Sequence, residues 1–286
     1  MVDEPPPAYV FEISGQGVAW AAMKEGRTPQ FRAFEEPALT ISPLRDNVTR
    51  PEAFGRFVAG LVPANGGRRR EAALILPDYS TRVTVLDFES FPSDPVEQLA
   101  LVRFRLKKTV PFEMDAATVS FDARPAGKKT EAVTAVVSQD IVSHYEAPFR
   151  AAGFEPGLVT TSMLSAVDLL PASGVALVVK LSGNVVTITL CEGRFPKLLR
   201  SVELETGSLD ELMNVLYPTI AYAEDEMPNK PDGIHVVGFG DNTTAICEHL
   251  DRELRMTAQP LRSARGTPAA YNAGLLGYLQ AQENRS

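Results

Sequence analysis

Two cysteines, three histidines and one tryptophan in 286 residues leave little material for several kinds of chemistry. Cys191 and Cys247 stand far apart with no Cys-x-x-Cys pair, which fits buried reduced thiols and offers no disulfide framework. His144, His235 and His249 are scattered, without the spacing of a zinc site. No apolar run approaches the ~18 residues needed to cross a bilayer, and VALVVKL at 175–181 has the length of a strand. Positive charge is also short. With 28 Lys and Arg against 36 Asp and Glu, the net charge is -8, which argues against a general binder of nucleic-acid backbones. The basic runs Arg68-Arg69-Arg70 and Lys107-Lys108 are local and read as solvated surface. The N-terminal MVDEPPPAYV lacks the basic start and apolar block of a secretory signal, so a cytoplasmic location is expected.

What remains is the composition of a soluble globular chain, 44% hydrophobic and 22% charged. Its length suits two domains of ~100 to 200 residues, or one large one. Within it a pattern occurs twice. Residues 10–20 read VFEISGQGVAW and residues 178–188 read VVKLSGNVVTI. The first copy runs on to EGRTPQF at 25–31 and the second to EGRFPKL at 192–198. A single one-residue slip brings Pro29 onto Pro196. Two copies this far apart indicate two related halves of one unit, not a solenoid. Each copy predicts a β-hairpin, a Glu-Gly turn and a third strand.

Between and after the repeats the periodicity predicts further elements. PEAFGRFVAGL (51–61) has helical spacing with Pro51 in its first turn, and EAALILP is a strand buried on both faces. A different module begins near Arg82 with the strand RVTVLDF. Asp94 and Pro95 then open a helix expected to bury Val96, Leu99, Val102 and Leu106 and to turn Arg103 and Lys107 outward. ATVSFDARPA and EAVTAVVSQ read as strands, and SQDIVSHYEAPFRAAG as a helix ending at Gly153 with Pro148 straining it. LVTT is a strand and SMLSAVDLL a short helix. The second half carries its hairpin, a helix in SLDELMNVLYPTIAYAEDE, the strand GIHVVGFG, and helices in TTAICEHLDREL and AAYNAGLLGYLQAQ.

A strand meander followed by helix and strand, given twice, is the layout of the actin-like, ribonuclease H-like α/β fold. The stretch RVTVLDFESFPSDPVEQLALVRFRLKKTVPFEMDAATVSFD resembles the PilM family of type IV pilus assembly proteins, relatives of the cell-division protein FtsA. Val110, Pro111 and Phe112, with Glu113 and Asp115, match the helix closure of that family. VVSQDIVSHYEAPFRAAGFEPGLV is similar to its Ala-Gly-Leu-x-Pro-x-x-Val segment. The resemblance implies a first actin-like subdomain at 1–81, completed by 159–173 and 267–286. It implies an inserted subdomain at 82–158, and a second half at 174–266 that lacks most of its small subdomain.

In that fold the paired hairpins bracket a nucleotide, and an Asp beside each turn handles magnesium. The resemblance therefore points to Glu12, Ser14, Gly15, Lys180, Ser182, Gly183, Gly238 and Gly240 as the cofactor-binding cleft, in degenerate form. Asp-Ile-Gly is replaced by Glu12-Ile13-Ser14. The second Asp is replaced by Lys180, which cannot orient metal-bound water. Gly-Gly becomes Gly238-Phe239-Gly240, whose ring is expected in the space of a base or ribose. No catalytic residue and no metal site is assigned, and ATP with Mg²⁺ is kept as a cofactor alternative. If the cleft is dead, restoring Asp at position 180 is expected to change nothing.

The function implied is a cytoplasmic scaffold, peripheral to the inner membrane, in a type IV pilus or related platform. It would bind the cytoplasmic tail of a bitopic PilN-like partner, and stand next to a pilus motor ATPase, without hydrolysing ATP. Arg103, Lys107, Pro111 and Phe112 are the expected walls of a groove between the inserted subdomain and the first half. The alternatives are a working actin-like ATPase or small-molecule kinase with Glu12 as metal carboxylate, and the cytoplasmic component of a type II secretion platform.

Overall fold

The computed structural model describes residues 7–24, 26–63, 66–110, 112–227 and 230–284. The first unit opens with β1 (Tyr9–Ser14), β2 (Gly17–Ala22), β3 (Gln30–Ala33), α1 (Pro51–Ala59) and β4 (Arg70–Leu76). An insert follows, made of β5 (Arg82–Phe88), α2 (Pro95–Leu106), β6 (Ala117–Ala126) and β7 (Lys129–Ser138). The chain then returns through α3 (Gln139–Ala151), β8 (Phe154–Thr161) and α4 (Ser162–Ala166). The second unit holds β9 (Val175–Ser182), β10 (Val185–Glu192), β11 (Phe195–Glu203), α5 (Leu209–Glu226), β12 (Gly233–Val237), α6 (Thr243–Leu254) and β13 (Ala258–Pro260). The last helix is α7 (Ala273–Asn284).

The duplication seen in the sequence is a duplication of topology. One sheet has the order β3-β2-β1-β4-β8 and the other β11-β10-β9-β12-β13. In each, an antiparallel meander continues into parallel strands on the far side. Glu25, where the second stretch of the repeat begins, lies outside the described residues. β4 shows why its run is apolar without alternation. Ala72, Leu74 and Leu76 face the cluster of Phe54, Tyr145 and Phe149 from α1 and α3. Ala73 and Ile75 face Leu275 and Leu279 of α7. A strand covered on both sides has no solvent face to make polar.

Three expectations need correction. The inserted subdomain ends near Ser138, not at 158. Phe154–Thr161 pairs with β4 in the first sheet, and α3 packs against that sheet. Phe154, Glu155 and Pro156 belong to this strand, in which Pro156 is tolerated because β8 is an edge. On α2, Asp94 caps as expected, accepting from Val96 N at 2.9 Å and Glu97 N at 3.0 Å. The buried face carries Val102 and Leu106, but Val96 and Leu99 are exposed. A three-stranded sheet covers only one side of the helix. β13, three residues long, gave no readable period.

The insert is seated between the halves. Its order is β5-β7-β6, and β5 abuts β11 of the second unit. Arg124 donates to Glu131 at 3.3 Å and to Glu192 across the seam at 2.7 Å, with its guanidinium 3.8 Å from the Phe195 ring. Lys197 pairs with Glu131 from the other side.

Candidate functional site

Strand alternation decides which charged groups meet. Glu12 shares the face of Val10, which looks toward α7, and Lys180 shares the face of Val178, which looks toward α4 and the seam. Both are buried, Glu12 at 1% and Lys180 at 2% exposure. Between them stands Ser162, the first residue of α4. It accepts from the Lys180 ammonium and donates to Glu12 Oε1. Lys180 Nζ also lies 2.9 Å from Oδ2 of Asp78, the residue that follows β4 and Pro77. Among the described side chains this is the fully buried ion pair of the molecule, and it ties the first unit to the second.

Each carboxylate has a further partner at a helix start, where backbone N–H groups lack one within the helix. Asp78 Oδ1 accepts from Met163 N at 2.6 Å in α4. Glu12 Oε2 accepts from Leu275 N at 2.7 Å in α7. One ammonium serves two carboxylates. Burial accordingly pushes the Glu12 carboxyl above its ordinary range, against the opposing pull of Lys180, Ser162 and the Leu275 N–H. Asp78 and Ser162 were not singled out by sequence. The one signal for Asp78 was a carboxylate directly after an apolar strand.

The other expected cleft residues do not join this network. Ser14 Oγ donates to Gly17 O at 3.0 Å and accepts from Gln16 N at 3.3 Å, so it serves its own hairpin turn. Gly183 has φ +62° in the matching turn. Gly238, at φ +89°, is pressed so tightly on the chain that a Cβ would overlap the Leu181 carbonyl oxygen. Gly240 opens the short 3-10 turn Gly240–Asn242. Phe239 does not stand in a ligand space. It is buried in the core of the second unit with Val236 and Ile246, because the apolar environment there is continuous. Nor is Lys180 free to meet a phosphate. Among the described residues, no group of three or more His, Cys, Asp or Glu side chains could hold a metal.

A separate groove of about 310 Å³ opens where two sheet edges approach. One wall is Thr118 and Ser120 of β6, the other Val159–Thr161 of β8, and Val142, Ser143 and Glu146 of α3 close it. It lies between the insert and the first unit. The expected walls Arg103, Lys107 and Phe112 do not line it. Arg103 donates to the carbonyls of Met114 and Ala117, Lys107 is exposed beyond the end of α2, and Phe112 packs on the insert's own core. α2 packs on the face of the insert's sheet that carries Ala117, Val119 and Phe121, whereas Thr118 and Ser120, which line the groove, alternate to the opposite face. Pro111 lies outside the described residues.

No family model and no curated protein matches the sequence. Solved structures do match in shape. A chain of the PilM-PilN type IV pilus biogenesis complex agrees over 97% of this chain and 99% of that one, with TM-score 0.78 and 14% identity. A Bacteroides thetaiotaomicron protein with an actin-like ATPase fold and unknown function agrees with TM-score 0.54 and 11% identity, over 96% and 98%. The cytoplasmic domain of EpsL, an inner-membrane component of the type II secretion system of Vibrio cholerae, gives 0.51 and 12%, over 97% and 94%. The protein therefore has the actin-like fold. Within that class it has the form seen in the PilM-PilN complex, insert included.

Proposed function

We propose that this chain is a scaffold of a type IV pilus or related inner-membrane platform, working at the cytoplasmic face without nucleotide turnover. Its partner would be the cytoplasmic tail of a bitopic PilN-like protein, and a pilus motor ATPase would stand on its far side. The observation that carries the reading is the groove between the β6 and β8 edges. Exposed strand edges bind an extended peptide through main-chain hydrogen bonds, and neighbouring pockets select its side chains. Here Val137, Val142 and Leu164 offer apolar contacts, and Thr118, Ser120 and Ser143 offer hydroxyls.

The Lys180–Asp78 pair supports the part of the reading that concerns nucleotide. In an actin-like ATPase a bound phosphate and its metal join the halves. In this chain an internal ammonium and carboxylate already do so. No helix among the described residues is long and apolar enough to cross a membrane, so attachment would come through the partner.

Calorimetric titration with a synthetic N-terminal peptide of a neighbouring bitopic membrane protein tests the reading. Wild type and Lys107→Ala are expected to bind alike, while Val142→Trp, which fills the groove, loses binding. Equal binding by Val142→Trp would move the site elsewhere. Binding of Mg-ATP and not of peptide would favour the ATPase or kinase reading.

A further inference from the structure

We propose that this protein binds a small phosphate-bearing anion in a second cleft, at the seam where β5 of the insert abuts β11 of the second unit. The cleft measures about 190 Å³. Each of the two strands is the outer member of its own sheet, so the edges meet there without merging into one sheet. Val83 and Leu199, buried in one apolar cluster, form its floor. Its rim is cationic. Arg82 and Arg200, one from each strand, line the cleft and are exposed, and neither pairs with a carboxylate among the described residues. No Asp or Glu lines it. Asp78, in the turn just before β5, directs its carboxylate inward to Lys180. In a chain of net charge -8, two unpaired guanidinium groups around a cleft without acids concentrate positive potential locally and favour an anion there.

The other polar groups of the lining are hydroxyls. Tyr79 and Thr84 are half-buried, and their hydroxyls have no partner among the described residues. Ser201 Oγ lies 2.8 Å from Thr187 Oγ1. A phosphate monoester brings nearly two negative charges and three strong acceptor oxygens. Two guanidinium forks with hydroxyl donors beside them match that demand, since Arg recognises such planar sets of oxygens bidentately. The volume admits the phosphate with few further atoms, well short of the roughly 300 Å³ or more of a drug-sized site. The cleft is distinct from the nucleotide cleft of the fold, and none of the residues expected there lines it. Tyr79 belongs to the 3-10 turn Asp78–Ser80 that follows β4, and the duplicate of that turn is Gly240–Asn242, which follows β12. β4 and β12 hold the same place in the two sheets. A base or ribose was expected beside Gly238 and Gly240, so the anion cleft lies at the counterpart of that turn in the other unit.

Calorimetric titration of the full chain with glycerol phosphate in EDTA tests this, because a site made of cations needs no metal. Saturable binding is expected, weaker at ~500 mM than at ~50 mM salt, where exposed charges are less screened. Arg82→Gln and Arg200→Gln should each weaken it at least ~tenfold, and Arg82→Lys, which keeps the charge and loses the fork, by less. Lys107→Gln removes one exposed charge elsewhere on the insert and should leave binding unchanged. All three positions are exposed, so unchanged circular dichroism and melting serve as the folding control. Malonate, with two carboxylates and a similar charge, should bind at least ~tenfold more weakly. Flotation with vesicles of equimolar phosphatidylcholine and phosphatidic acid separates a lipid headgroup from a soluble ligand, and either source bound through the two arginines supports the proposal. Binding of neither, binding that requires Mg²⁺, binding unaffected by both Gln variants, or equal binding of malonate overturns it.

Discussion

Lys180 Nζ lies 2.9 Å from Asp78 Oδ2, in a contact that spans 102 positions of sequence with both side chains almost wholly buried. Removing one partner strands a charge in the interior, at a cost of ~3 to 5 kcal/mol, whereas removing both is often close to neutral. Lys180→Met is therefore expected to lower stability by about that much. Adding Asp78→Asn should restore most of it, because the amide oxygen can still accept from Met163 N. Urea denaturation of the two single variants and the double variant measures this. Equal losses in Lys180→Met and the double variant would show that the pair does not act as a unit.

The same pair changes the meaning of an aspartate at position 180. Lys180→Asp adds a carboxylate beside Asp78 and Glu12 in place of the ammonium that serves them, so it is expected to destabilise the fold and not to leave it untouched. Neither wild type nor Lys180→Asp is expected to give calorimetric heat with Mg-ATP. A saturable heat with either protein would reinstate the nucleotide cleft.

Glu12 sets a pH dependence of defined sign. Burial raises its carboxyl above the ordinary range, so the folded chain holds this proton more tightly than the unfolded chain. The resulting stabilisation is complete below the unfolded value, near ~4.3, and is lost as pH rises through the higher folded value. Glu12→Gln removes that slope. Its stability relative to wild type should rise with pH from ~4.3 until the higher folded value is passed and then level off, seen as converging or crossing denaturation midpoints. Parallel curves would mean that Glu12 titrates normally.

Gly277 gives a test by sign alone. Ala in place of Gly inside a helix ordinarily gains ~1 kcal/mol. At Gly277 the added Cβ would overlap the Ser165 carbonyl oxygen where α7 crosses α4, and overpacking against rigid backbone costs ~1 to 3 kcal/mol. Gly277→Ala is expected to lower the melting temperature. A higher one would mean that the two helices stand further apart than the structure has them.

Much of this was legible in the sequence, for local reasons. The hairpins of the repeat, the Asp94 cap and the apolar run of β4 follow from turn chemistry, a side-chain acceptor and strand burial, each decided within a few residues. The aligned copies also brought out Glu12 and Lys180 as the positions where the pattern of the fold is broken. They could not say what those residues do, because Asp78 reaches Lys180 across 102 positions, and Ser162 reaches Lys180 across 18 and Glu12 across 150.

The same limit explains the errors. Whether Val96 and Leu99 are buried depends on how much of α2 a three-stranded sheet covers. The residues that line the groove depend on where β6 and β8 approach. Periodicity reports that a face is apolar and not what covers it, since that is set by elements distant in the chain. The duplicated architecture, its punctuation and the substituted cleft positions are written in the residues themselves, because they rest on short-range stereochemistry. That the substituted lysine is a buried counterion joining the halves follows from the folded arrangement alone. An ion pair in the interior exists only once folding has removed the water that would otherwise solvate each charge.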